Sequence, residues 1–153
     1  MSENDDLPAL RHWFDRWGSL VAAVDFETAR DLFRDDVVGF GTHMDLVQGI
    51  VALETQQWRR VWPTIKDFRF HSETMEAQVS PDRLMAVGLC VWSSTGFHED
   101  GSPFDRPGRA SVVFRRDDIN LPWLANHTHI SLNPGTPQKS FGAPIMRTTE
   151  TNN

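Results

Sequence analysis

Residues 123–132 read WLANHTHISL, and the fold of the whole chain turns on them. The stretch follows Pro122, contains neither Gly nor Pro, and has the length of an ordinary strand. Side chains alternate faces along a strand. Trp123, Ala125, His127, His129 and Ser131 are therefore expected on one face, with Leu124, Asn126, Thr128, Ile130 and Leu132 on the other. Two imidazoles and a hydroxyl at two-residue spacing describe either hydrogen-bonded core or interface groups, or a pocket wall carrying acid–base groups or a metal.

The segments upstream give that strand its neighbours. GRASVVFRRDD at 108–118 reads as a strand with Arg109, Ser111, Val113 and Arg115 on one face. LMAVGLCVWSST at 84–95 is a long, nearly continuous apolar strand, and DFRFHSETMEAQV at 67–79 alternates in part. FHEDGSPFDRPG at 97–108 is rich in turn formers and is expected as a long hairpin loop.

Before Pro63 the pattern is helical. Leu10, Trp13, Phe14, Trp17, Leu20, Val21 and Val24 recur at three- and four-residue spacing, with Gly18 as a candidate interruption. DFETARDLF at 25–33 predicts a short helix capped near Asp25. Strands are expected at 37–42 and about 45–48, with His43 at the bend. A third helix runs from Ile50 to about Trp62, with Ile50, Leu53, Gln57, Trp58, Val61 and Trp62 on one face and Arg59 and Arg60 in water. Helices first, then a run of antiparallel strands, predict an α+β layout in which a strongly bent sheet wraps three helices. Residues 7–134 are expected as the domain and 135–153, rich in Pro, Gly and Thr, as an extended or disordered tail.

Composition narrows the function classes. Fifteen basic residues are scattered through a chain of net charge −6, which argues against a nucleic-acid-binding face. No apolar run reaches the roughly 18–20 residues of a membrane span. The N-terminal MSENDDLPAL lacks a signal-peptide layout, and Cys90 stands alone, so a cytoplasmic protein without membrane or nucleic-acid partners is expected. Six Trp and ten Phe with no Tyr supply aromatic walls but remove one common catalytic acid.

The helix–helix–strand–helix–meander order resembles the nuclear transport factor 2-like superfamily, a cone-shaped α+β fold. More narrowly, GRASVVFRR followed by Trp123 and HTHISLNP resembles the SnoaL-like domains and the related association domains of calcium/calmodulin-dependent kinase. The resemblance covers about residues 7–134 in layout and 109–134 in residues. It implies a pocket between the concave sheet and the helices, and a homodimer through the convex face. By the same resemblance Trp123 opens the last strand, His129 and Ser131 sit near its end, and Arg109 lies on its neighbour. The superfamily's ketosteroid isomerase uses a Tyr donor that this chain lacks.

The residues leave three functions open. In the first, His43 and His129 supply acid–base groups and Arg109 holds an oxyanion or carboxylate. Trp58, Trp62, Trp92, Ser111, His127 and Ser131 would then contact a hydrophobic or aromatic carbonyl or carboxylate substrate. This is isomerase, cyclase or lyase chemistry, with no cofactor expected. The second is non-enzymatic ligand binding or homo-oligomeric assembly. In the third, His127 and His129 ligate a metal, with His43 or a carboxylate such as Asp45 or Glu54 as the third ligand.

Overall fold

The computed structural model describes residues 3–144. Helix α1, Glu3–Ala23, carries the predicted stripe: Leu10, Trp13, Phe14, Trp17, Leu20 and Val21 are all buried. Gly18 does not break it. A Cβ there would stand 3.3 Å from Phe70 Cδ2, so the bare backbone lets the sheet approach the helix. Helix α2, Phe26–Arg30, is capped by Asp25, whose Oδ1 accepts from Thr28 N at 3.1 Å.

Strands β1, Phe33–Phe40, and β2, Leu46–Gln48, follow. The third helical run comprises α3, Ile50–Leu53, a π-helical stretch, Glu54–Trp58, α4, Arg59–Val61, and a 3-10 turn, Trp62–Thr64. The predicted face holds, since Ile50, Leu53, Gln57, Trp58 and Trp62 are buried while Arg59 and Arg60 are exposed. The remaining strands are β3, Lys66–Phe70, β4, Glu76–Val79, β5, Met85–Phe97, β6, Pro103–Asp105, β7, Gly108–Arg115, and β8, Leu124–Leu132.

The sheet runs β2-β1-β8-β7-β5-β3, with β4 and β6 also on β5. It is antiparallel except where β1 lies parallel to β8, a pairing the sequence reading did not anticipate. Residues 97–108 are not simply a loop either. Phe97 pairs with Pro103 and Thr95 with Asp105, so β6 continues the β7 side of a long hairpin and only its tip turns.

The core is aromatic. Trp13 meets Phe14, Trp17, Phe33 and Phe114 at ring-centroid distances of 4.8 to 5.5 Å, and its indole N–H donates to Leu32 O at 3.1 Å. One glycine is required by this packing. Gly108 pairs with Trp92, and a Cβ on it would lie 2.1 Å from Trp92 Cζ2 and 2.2 Å from Ser131 O. Neither the fully buried indole nor the strand backbone can retreat. Gly108→Ala should therefore destabilise by about 1–3 kcal/mol or more, as overpacking does, read as a lower urea midpoint with an altered Trp fluorescence maximum.

Candidate functional site at the mouth of the cone

The faces of β7 and β8 decide which predicted residues reach the interior. On β7, Gly108, Ala110, Val112 and Phe114 are buried, while Arg109, Ser111, Val113 and Arg115 point outward. On β8 the register slips by one residue: Phe114 pairs with Ala125 but Val113 pairs with His127, leaving Asn126 as a bulge. A bulge of one residue sends every later side chain to the opposite face. Trp123 and Ala125 are inward as expected, and after the bulge the inward positions are Thr128 and Ile130.

His127, His129 and Ser131 thus lie on the outer face with Arg109 and Ser111, which corrects the expectation that these five line the pocket. They do come together. Arg109 Nε donates to Ser131 Oγ at 3.0 Å, His129 sits opposite Ser111, and His127 Nδ1 lies 2.6 Å from the Val38 carbonyl. Phe40 packs beside both imidazoles, with centroids 5.9 and 5.1 Å away. The combination of His43, His127 and His129 does not form a metal-binding cluster, and among the described residues no group of three His, Cys, Asp or Glu is placed to hold a metal ion.

The interior is a small cavity of about 40 Å³ walled by Trp17, Trp58, Trp62, Phe70 and Trp92, with Arg106, Gln57, Thr42 and Thr128 as its polar lining. Trp58 and Trp62 stack at 4.7 Å, and Phe68 lies against Trp92 at 5.3 Å. The three tryptophans expected at a substrate, Trp58, Trp62 and Trp92, all line this space.

Among the described residues Arg106 is the one charged group lining this cavity, and it is 3% exposed. Its position follows from strand register. Its N–H donates to Ser94 O at 2.9 Å and Ser94 Oγ donates to its carbonyl at 2.8 Å, which locks it inward between β6 and β7. Its guanidinium lies 5.5 Å from the Trp92 ring centroid, and Nη2 donates to Thr42 Oγ1 at 3.2 Å. No carboxylate pairs with it among the described residues. Burial pushes its pKa down to about 10, which leaves it fully charged at neutral pH. Arg106 Nε and the indole N–H groups of Trp17 and Trp92 are buried and have no hydrogen-bond partner among the described residues.

Outside the aromatic cavity, Arg106 also lines a larger vestibule of about 330 Å³ with Thr42, His43, Arg60, Thr64 and Lys139. His43 is exposed here, and its backbone N–H donates to Gln57 Oε1 at 3.1 Å. Gln57 Nε2 donates to Thr42 Oγ1 at 3.1 Å. The π-helical stretch places Gln57 against the backbone of Gly41, where a Cβ would fall 2.3 Å from Gln57 Cδ. In the same stretch Glu54 is buried between Arg30 and Arg59, whose hydrogen bonds, the Arg30 one foremost, hold its carboxyl below the usual range. Glu54 is therefore a structural anion. Cys90 is buried, and desolvation pushes its thiol up to about 12, so it is inert.

Sequence reasoning chose Arg109 and missed Arg106. The signal was present: Gly108, Ala110, Val112 and Phe114 form the small and apolar set of β7, and Arg106 is in phase with them while Arg109 is not.

The tail contributes to the site too. Residues 135–144 run along the mouth: Gln138 Nε2 donates to Thr42 O, Ser140 Oγ donates to Thr64 O at 2.5 Å, and Phe141 N donates to Phe97 O at 2.8 Å. Residues 135–144 are docked against the mouth of the cone; 145–153, the rest of the tail expected to be extended or disordered, lie outside the described residues.

A curved sheet closing over helices around such a pocket defines the nuclear transport factor 2-like class of α+β cone. Within it the chain belongs to the SnoaL-like domain family, whose model matches residues 10–134. A nuclear transport factor 2-like protein from Salmonella enterica is similar in structure, with a TM-score of 0.72 at 16% identity over 89% of this chain and 96% of that one. A ketosteroid isomerase-like protein from Erwinia carotovora gives 0.68 at 15% over 88% and 99%. A calcium/calmodulin dependent protein kinase II association domain from Xanthomonas campestris gives 0.67 at 22% over 89% and 91%. The comparison with curated proteins found no match. At these identities the structural likeness establishes the fold, and no helix among the described residues is long and apolar enough to cross a membrane.

Proposed function

We propose that this chain takes a small carboxylate or carbonyl compound at the cone mouth, with its oxygen held by Arg106. The observation that carries the reading is the buried guanidinium of Arg106, which lines the aromatic cavity against Trp92 and has no carboxylate partner among the described residues. Desolvating that guanidinium is a cost already met in the folded protein, so an anionic oxygen gains from it at little further expense. The aromatic cavity accepts little more than the head group, and the vestibule accepts the body. His43 is the imidazole that shares the vestibule with Arg106, and it is the proton acceptor in an isomerase or lyase reaction next to a carbonyl. Arg109 and His129, on the outer face, have no part in it.

The test is a thermal-shift and calorimetric screen of arylalkanoates and their ketone analogues, run on the wild type, Arg106→Gln and Arg109→Gln. Binding that disappears in Arg106→Gln and persists in Arg109→Gln supports the reading. Equal loss in both variants, or binding unaffected by Arg106→Gln, sinks it.

The outer face supports a second proposal, a homodimer. Phe40, Leu46, Met85, Leu89 and Val91 are 39%, 51%, 45%, 43% and 52% exposed, and strand register places them on that one face. Large apolar side chains gathered on a sheet face mark an association surface. Sedimentation equilibrium should show a dimer in the wild type and a monomer for Val91→Asp combined with Leu89→Asp; an unchanged mass would dismiss this interface.

A further inference from the structure

We infer that the vestibule is a second anion subsite, so that the ligand of this pocket is a compact dicarboxylate with one carboxylate on Arg106 and the other on Arg60 and Lys139. The inference rests on the reading of Arg106 given above and adds the chemical class of the ligand.

The charged side chains lining the vestibule are all permanent cations, Arg60, Arg106 and Lys139, in a chain whose net charge is −6. Neither Arg60 nor Lys139 is in an ion pair among the described residues. Lys139 instead rests its ammonium 4.6 Å from the centroid of Phe141. Scattered surface cations are ordinarily solvated and mean little. Three converging on one concavity repel each other and focus a positive potential where an anion would relieve it.

The hydrogen-bond polarity at the junction agrees. Thr42 Oγ1 accepts from both Gln57 and Arg106, so its own proton is left to donate toward a ligand oxygen. The dimensions agree as well. About 40 Å³ inside and about 330 Å³ outside put one small head group within the aromatic throat and the skeleton, against Val61 and Phe141, in the vestibule.

One wall of this subsite comes from beyond the SnoaL-like match, which ends at residue 134. Gln138, Lys139, Ser140 and Phe141 are brought there by the docked tail. The second subsite is therefore built jointly, with Arg60 from the matched domain and Lys139 from the segment that follows it.

The test is isothermal titration calorimetry on the full chain with 3-phenylpropanoate and phenylsuccinate, which share a skeleton and differ by one carboxylate. The wild type should bind phenylsuccinate about tenfold tighter or more, and the preference should shrink as salt is raised. In Arg60→Gln combined with Lys139→Gln, both exposed positions, the preference should collapse toward unity. Arg109→Gln should keep it. Wild-type binding of the monoacid with no gain from the second carboxylate, or a preference that survives the double substitution, overturns the inference and leaves the Arg106 reading standing. Binding of neither acid overturns both.

Discussion

Replacing Arg106 with Met should raise the melting temperature while removing carboxylate binding. Stability and function should move in opposite directions here, and the reason is electrostatic. The guanidinium is buried without a counter-ion among the described residues, and that burial pushes its pKa down to about 10. A depression of that size corresponds to a cost on the order of 3 kcal/mol. Met fills similar volume without the charge. It forfeits the contact with Trp92 and the hydrogen bond to Thr42, so the net gain is smaller, about 1–2 kcal/mol or a few degrees in Tm. Meanwhile, losing one partner of a desolvated charge pair should weaken carboxylate binding by about 30-fold or more.

The pH dependence carries a sign that can be checked. The unfolded chain binds more protons than the folded one only between the lowered and the ordinary arginine pKa, so relief comes above about pH 10. The Tm difference between wild type and Arg106→Met should therefore be flat from about pH 5 to pH 9. A variant that melts lower than the wild type would make Arg106 a structural residue.

Asp6→Ala should be among the most destabilising single substitutions, at about 3–5 kcal/mol in urea unfolding. Asp6 is 3% exposed and accepts from Arg83 Nε at 2.7 Å, Arg83 Nη2 at 3.0 Å and Arg116 Nη2 at 3.0 Å. It joins the start of α1 to the segments before β5 and after β7. Removing it strands Arg116, which is buried with its guanidinium 3.8 Å from the Trp123 ring centroid. The hydrogen bond from Arg83, more than any other contact, holds the Asp6 carboxyl below its usual range. A depressed carboxyl pKa stabilises above the unfolded value and ceases to do so as pH falls through the folded one. The gap in unfolding free energy between wild type and Asp6→Ala should be constant above about pH 5 and close below about pH 4. A gap that widens in acid would refute this account.

Much of the fold was legible because burial is periodic. The α1 stripe from Leu10 to Val21 and the face of Leu53, Gln57, Trp58 and Trp62 are read directly from three- and four-residue spacing. The long apolar run that became β5 is equally plain. The candidate site was legible only in part. Trp58, Trp62 and Trp92 line the cavity, whereas alternation carried through Asn126 put His127, His129 and Ser131 on the wrong face. The bulge has no mark of its own in the residues around it. It is imposed from both sides of β8, where Phe114 on β7 and Phe33 on β1 both meet Ala125.

The sequence by itself determined the α+β class, the order of helices and strands, and the aromatic material of the interior, because these depend on local spacing and hydrophobicity. Tertiary structure alone decided where the histidines point and that the tail closes one side of the mouth. Those outcomes depend on register between strands far apart in the chain, and a single inserted residue reverses them.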